Sequence, residues 1–133
     1  MNDSRRMLVG VLLSTVLTVA GEARVAGQDV VKVSPETHTV LLENDQVRVL
    51  DVRVKPGEKV AMHSHPAGIL YYLSDATLKI TYPDGKSETR EIKAGTAVWS
   101  KALTHAAENV GPTTLHEVQT ELKAPAKKPV RAK

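Results

Sequence analysis

The sequence predicts an all-β fold, one sandwich or barrel of short strands, and three observations carry that expectation. Short apolar runs with period-two alternation recur from Val30 onward. Turns containing Gly or Pro separate them at intervals of roughly 8–12 residues, and no stretch after Ala20 shows a helical apolar stripe. Composition agrees. The 133 residues include no Phe, one Trp and three Tyr, so the core must come mainly from Val, Leu, Ile and Ala. Val-rich cores suit a pleated surface better than a helical one. A chain of this length has room for one domain.

Along the chain, the segment Val47 to Val54 alternates Val with mostly polar residues and ends at the turn Pro56-Gly57. Val60 to His65, Ile69 to Leu73 and Thr77 to Tyr82 follow at short intervals. Pro83-Asp84-Gly85-Lys86 is a hairpin turn, since proline presets φ and glycine takes the positive-φ position cheaply. Glu88 to Ile92, Thr96 to Ser100, Ala106 to Val110 and Thr114 to Leu122 complete the set, with Ala94-Gly95 and Gly111-Pro112 as breakers. The barrel is therefore expected over residues 30–122.

The two ends read differently. Residues 1–27 have the pattern of a signal peptide: Arg5-Arg6 supplies a positive start, and Met7 to Ala20 is uncharged and mostly apolar. Small residues then offer cleavage positions between Ala20 and Gly27. The apolar run is shorter than the roughly 20 residues that cross a bilayer, so no stable membrane span is expected after cleavage. Ser4-Arg5-Arg6-Met7-Leu8 is similar to the twin-arginine export pattern, and the expected location is periplasmic or extracellular. The alternative is a buried or frayed N-terminal helix. Residues 123–133 alternate Lys and Arg with Pro and Ala and are expected to form a disordered basic tail.

Several function classes are excluded by inventory. The net charge of +3 sits largely at the two ends, and no basic stripe interleaved with aromatics marks a nucleic-acid face. The lack of cysteine rules out disulfides, thiolate metal sites, iron–sulfur clusters and a Cys nucleophile. There is no Gly-x-Ser-x-Gly elbow, no phosphate-binding Gly-rich loop and no pair of inward carboxylates for glycoside chemistry.

Five histidines remain: His38, His63, His65, His105 and His116. On a strand, residues i and i+2 share a face, so His63 and His65 project together at a separation one metal ion can bridge. Gly57 stands ahead of this pair, and His105-Ala-Ala-Glu-Asn109 lies further along the chain.

At these residues the chain resembles the cupin family. Its first motif places Gly five residues before His-x-His, as Gly57, His63 and His65 do, and its second ends in His-x-x-x-Asn, as His105 and Asn109 do. The resemblance spans about Val40 to Leu122. It implies a double-stranded β-helix, a jelly-roll barrel, with a divalent ion (Fe, Zn, Mn, Ni or Cu) on His63, His65 and His105. It also implies a homodimer paired through an edge strand such as Val47 to Val54 or a neighbour.

Departures from the family pattern shape the expected chemistry. The metal-binding Glu of the first motif falls on Ile69, or on Leu70 if the gap is one residue longer, and neither side chain binds metal. The closing Gly of that motif is Ala76, and the Pro and first Gly of the second are Ser100 and Ala102. Three neutral imidazoles still suit zinc, iron or copper, and they disfavour hard cations. Ile69, Tyr71, Trp99 and His116 are the further residues expected to line a pocket. His116 shares parity with Val118 and Leu122, the more apolar face of the last strand. By the same reasoning Tyr72, Glu108 and Glu117 should face away, and His38, following Pro35 near an end, should be solvated.

Three functions follow as rival expectations. One is a metalloenzyme acting on a small organic molecule, with quercetinase-like or diketone-cleaving dioxygenases as the nearest analogy. Another is a non-catalytic module that binds metal or a small ligand. The last is a metal-free structural barrel. A carboxylate or tyrosine hydroxyl in the pocket would favour the enzyme, because proton transfer needs a partner group.

Overall fold

The computed structural model describes residues 28–124; the expectations for residues 1–27 and for 125–133 of the tail lie outside them. A single helical turn, α1 (Val30–Val33), precedes nine strands. These are β1 (His38–Glu43), β2 (Val47–Val54), β3 (Lys59–His65), β4 (Gly68–Tyr72) and β5 (Ala76–Thr81). β6 (Ser87–Ile92), β7 (Ala97–Ser100), β8 (Leu103–Asn109) and β9 (Leu115–Leu122) follow. The all-β expectation holds. β2 matches its predicted span residue for residue, and β8 begins three residues earlier than Ala106, which brings His105 into a strand.

Two antiparallel sheets make the barrel, one in the order β1-β2-β9-β4-β7 and the other β3-β8-β5-β6. Their facing sides hold a core of Val30, Leu50, Val52, Val54, Val60, Tyr72, Leu78, Ile80, Ile92 and Leu115. β2 is paired on both sides, by β1 and by β9, so Val47–Val54 presents no free edge; β1 is the edge of that sheet. The turns use glycine where predicted: Gly57, Gly85 and Gly95 all have φ near +80°. The altered turn before His105 uses no positive-φ non-glycine residue, so Ala102 costs no backbone strain there.

Asn109 of the second motif ties strand ends together. Its side-chain amide donates to the carbonyls of Val54 and Thr113, and its Oδ1 accepts from the Gly111 N–H. The residue is fully buried, and its side chain bonds only backbone, at the end of β2 and in the loop after β8. This asparagine is architecture.

Candidate metal centre

His63 and His65 face the barrel interior, at 1% and 9% exposure, for a reason built into β3. The register against β8 slips by one residue between Val60 and His63, an extra residue that lets Val60 and both histidines point inward. His63 lies directly opposite His105 across the ladder. The ring centroids of His63 and His65 are 4.6 Å apart, and the His105 ring is 4.6 Å from His63 and 5.6 Å from His65.

The structure adds a histidine that the sequence reading placed in solvent. His38 is 5% exposed, and its ring lies 5.9 Å from His63 and 6.0 Å from His65. It opens β1, pairs with the inward Val52 of β2, and is turned in by the tight segment Ser34 to Thr37. One ring nitrogen from each of His38, His63 and His65 lies within 4.8 Å of the other two. His105 is outside that set, although its Nδ1 is buried with no hydrogen-bond partner.

Hydrogen bonds decide which nitrogen His63 and His65 offer. His63 Nδ1 donates to the Ala61 carbonyl at 2.6 Å, and His65 Nδ1 donates to Glu121 Oε1 at 2.7 Å. His38 Nδ1 and Thr37 Oγ1 share a hydrogen bond of 2.7 Å, and the Thr37 hydroxyl also lies 3.2 Å from the Ser34 carbonyl. With the Nδ1 atoms of His63 and His65 committed as donors, the Nε2 of each carries a lone pair. Neutral imidazole nitrogens suit a divalent first-row ion, whose tetrahedral ligands sit about 3.4 Å apart for bonds of about 2.1 Å, so the nitrogens here would have to draw together on binding.

Behind His65 stands a chain of charges. Glu121, 2% exposed, accepts from Arg48 Nε at 2.6 Å as well as from His65. Arg48 in turn forms a two-pronged pair with Asp29, at 2.9 Å on each prong. A carboxylate behind a ligating imidazole fixes its orientation and raises its basicity. Burial pushes the Glu121 carboxyl up, but the hydrogen bonds from His65 and Arg48 outweigh it and hold the group below its usual range.

Burial, and then the neighbouring imidazoles, push His38 down to about 3. Burial likewise carries His63 down to about 4 and His105 to about 3, so these rings are neutral at pH 7 and no proton need leave before a metal binds. Glu117 moves the other way, raised by burial to about 7. Both shifts make stability depend on pH in the metal-free chain. Unfolding lets three histidines take up protons below their ordinary 6.5, so stability falls as pH drops from 6.5 toward 4. The unfolded Glu117 loses a proton that the folded one keeps between 4.5 and 7, which works against the histidines over that window. The urea midpoint is therefore expected to rise from pH 4 to about 7, and to rise more steeply between pH 5 and 7 in Glu117→Gln. A flat profile would contradict the buried neutral histidines.

The cavity holding His38, His63, His65 and His105 is also lined by Leu70, Tyr72, Glu117 and Gln119. All four further pocket expectations are corrected here. Ile69, Tyr71 and Trp99 are 45%, 43% and 57% exposed and form an outward row across β4 and β7. His116 also points outward, where its Nε2 bonds Asp51 at 2.7 Å. The inward row of β9 is Leu115, Glu117, Gln119 and Glu121, the more polar set. Leu70, the longer-gap alternative, occupies the cavity where the family's Glu would stand.

The chain matches no protein-family model and no curated protein by sequence. Solved structures do resemble it. A cupin domain from Bordetella pertussis superposes with a TM-score of 0.60 at 26% identity, covering 65% of this chain and 92% of that one. An RmlC-like cupin family protein with a double-stranded β-helix fold from Methanocaldococcus jannaschii gives 0.53 at 16% identity, over 68% and 82%. A cupin superfamily protein from Desulfitobacterium hafniense gives 0.50 at 16%, over 65% and 76%. With two facing jelly-roll sheets and histidines gathered between them, residues 28–124 have the double-stranded β-helix fold of the cupin structures they resemble.

Proposed function

We propose that this barrel binds one divalent first-row metal ion through Nε2 of His38, His63 and His65, with His105 on the open side. The observation that carries the reading is that one ring nitrogen from each of His38, His63 and His65 lies within 4.8 Å of the other two, while the Nδ1–H groups of His63 and His65 are spent on fixed acceptors. All three rings line the open cavity, where an ion can reach them. The all-imidazole donor set suits Zn, Fe, Cu or Ni over Mn or Mg.

A bound ion would supply Lewis acidity or oxygen activation to a small molecule in the cavity. Of the rival functions, the enzyme is favoured over a passive binding module by Tyr72 and Glu117, which bring a phenol and a carboxyl into the same cavity. Dioxygenase-type chemistry on a small oxygen-rich molecule belongs to this reading. Export to the periplasm or beyond, supported by the signal-like residues 1–27, is part of the same proposal.

The test is metal loading of untagged protein. Dialysis against Zn(II) or Co(II) is expected to leave one equivalent per chain, with a visible Co(II) spectrum of nitrogen ligation. Free metal at 100 times Kd should add about 2.7 kcal/mol to the unfolding free energy. A chain that retains no Zn(II) or Co(II) after dialysis and gains no stability from either ion would remove the proposal.

A further inference from the structure

Three polar side chains in the cavity have no work in the fold. Tyr72, Glu117 and Gln119 are 8%, 7% and 5% exposed, yet none makes a side-chain hydrogen bond to any of the described residues. Their polar atoms open onto the cavity and are not sealed into packed core, so all three are free to meet whatever occupies it. They are also contiguous. Tyr72 and Glu117 are cross-strand partners in the β4–β9 ladder, and Gln119 is the next inward residue of β9, opposite Leu70. Around them the lining is aliphatic, with Val52, Val54, Leu78, Ile80, Ile92 and Leu115.

We propose that Tyr72, Glu117 and Gln119 form a hydrogen-bonding wall that holds a small carboxylate inside the barrel. Donors dominate the wall. The Tyr72 phenol keeps its proton, raised to about 12 by burial and then by Glu117, and the Gln119 amide donates from its NH2. Glu117, raised to about 7 by burial, donates when protonated. Arg90 of β6 adds positive charge at the cavity lining, while its guanidinium bonds Glu88 and the Tyr82 hydroxyl. A negatively charged ligand rich in acceptors finds donors on Tyr72, Gln119 and protonated Glu117 and a positive charge on Arg90, a charge that disfavours a cation.

Size narrows the class. The cavity volume is about 80 Å³. At about 10–15 Å³ per water-sized group, that admits roughly five to eight non-hydrogen atoms, a short dicarboxylate or oxo acid. Tyr72, Glu117, Gln119 and Arg90 line the same cavity as the histidines, and the Arg90 charge reaches His105. The proposal goes beyond the metal reading and does not depend on it.

Binding of a carboxylate should retain the proton on Glu117, which gives the test its signature. The titratable or charged groups facing Glu117 are Tyr72, Arg90 and, farther along, His38, His63, His65 and His105. Malonate is titrated calorimetrically into full-length protein, metal-free and zinc-loaded, at pH 6 and pH 8. Wild type and Glu117→Gln should bind equally within about twofold at pH 6, and wild type should bind about tenfold more weakly at pH 8. Taking this ratio cancels any proton that a bound metal itself contributes. Tyr72→Phe and Glu117→Leu should each weaken malonate binding at both pH values with zinc content unchanged. Glu117→Leu should also raise the melting temperature of the metal-free chain, because it removes a buried carboxyl that lacks a partner. Malonate binding that survives loss of zinc binding supports the wall and removes only the metal reading. Wild-type protein that binds no malonate at pH 6 in either form, or a Glu117→Leu variant that binds it as wild type does, overturns the proposal.

Discussion

Replacing His63 with alanine is expected to weaken Zn(II) or Co(II) binding by at least about 100-fold, beyond the roughly 10–100-fold lost when only an outer partner of a ligand is removed. His63 lies nearer to the rest of the cluster than any other ring, 4.6 Å from both His65 and His105 and 5.9 Å from His38, where His65 is 5.6 Å from His105 and 6.0 Å from His38. Whichever third imidazole completes the coordination, His63 is shared. His38→Ala should also cost more than His105→Ala, because a ring nitrogen of His38 lies within the 4.8 Å set and none of His105 does. Competition against a chromogenic chelator ranks the variants. Equal affinities for wild type and His63→Ala would show that the ion, if bound, sits elsewhere.

Arg48→Ala is expected to act on both stability and metal affinity from a position outside the cluster. Arg48 is the cation between Asp29 and the nearly fully buried Glu121. Its removal strands the Glu121 charge, and breaking such a buried pair costs about 3–5 kcal/mol. It also frees the carboxylate that orients His65, so Zn(II) affinity should fall about 10–100-fold. Arg48→Lys should recover only part of either effect, since an ammonium cannot bridge two carboxylates in the same forked geometry. Arg53→Ala is the control: its pair with Asp51 is 59% exposed on the arginine side and is worth less than about 1 kcal/mol. Urea midpoints and zinc affinities of the three variants decide it. Arg48→Ala with the stability of Arg53→Ala would mean that the buried charge relaxes to water.

The fold was legible because strand alternation and turn glycines are local signals: Val47–Val54 and the Tyr82–Lys86 hairpin needed no tertiary information. The facing of the strands was less so. β4 reads Gly68-Ile69-Leu70-Tyr71-Tyr72, with large apolar or aromatic residues on both sides, and so gives no parity of its own. β9 was assigned by putting its more apolar side inward, and that rule inverts where the interior is a polar site. Leu115, Glu117, Gln119 and Glu121 face in because the cavity needs them, and Val118 and Leu122 face out. His38 carried no usable sign. Folding the chain at Asn44-Asp45, in the register that pairs Glu43 with Arg48, would set His38 opposite the outward Arg53; the bulge between Val40 and Leu42 shifts it opposite the inward Val52, and no sequence pattern marks that bulge. His65's support from Glu121 and Arg48 joins residues 56 and 73 positions apart, and no local pattern encodes such a pairing.

The slip in β3 between Val60 and His63 separates aim from grip. Deleting one residue there would restore a straight ladder with both imidazoles still aimed at the interior, so the barrel's outline would survive. What would vanish is the Ala61 oxygen that pins the His63 ring by its far nitrogen. Such a shortened chain would keep the shape of a receptacle with one of its prongs left free to swivel.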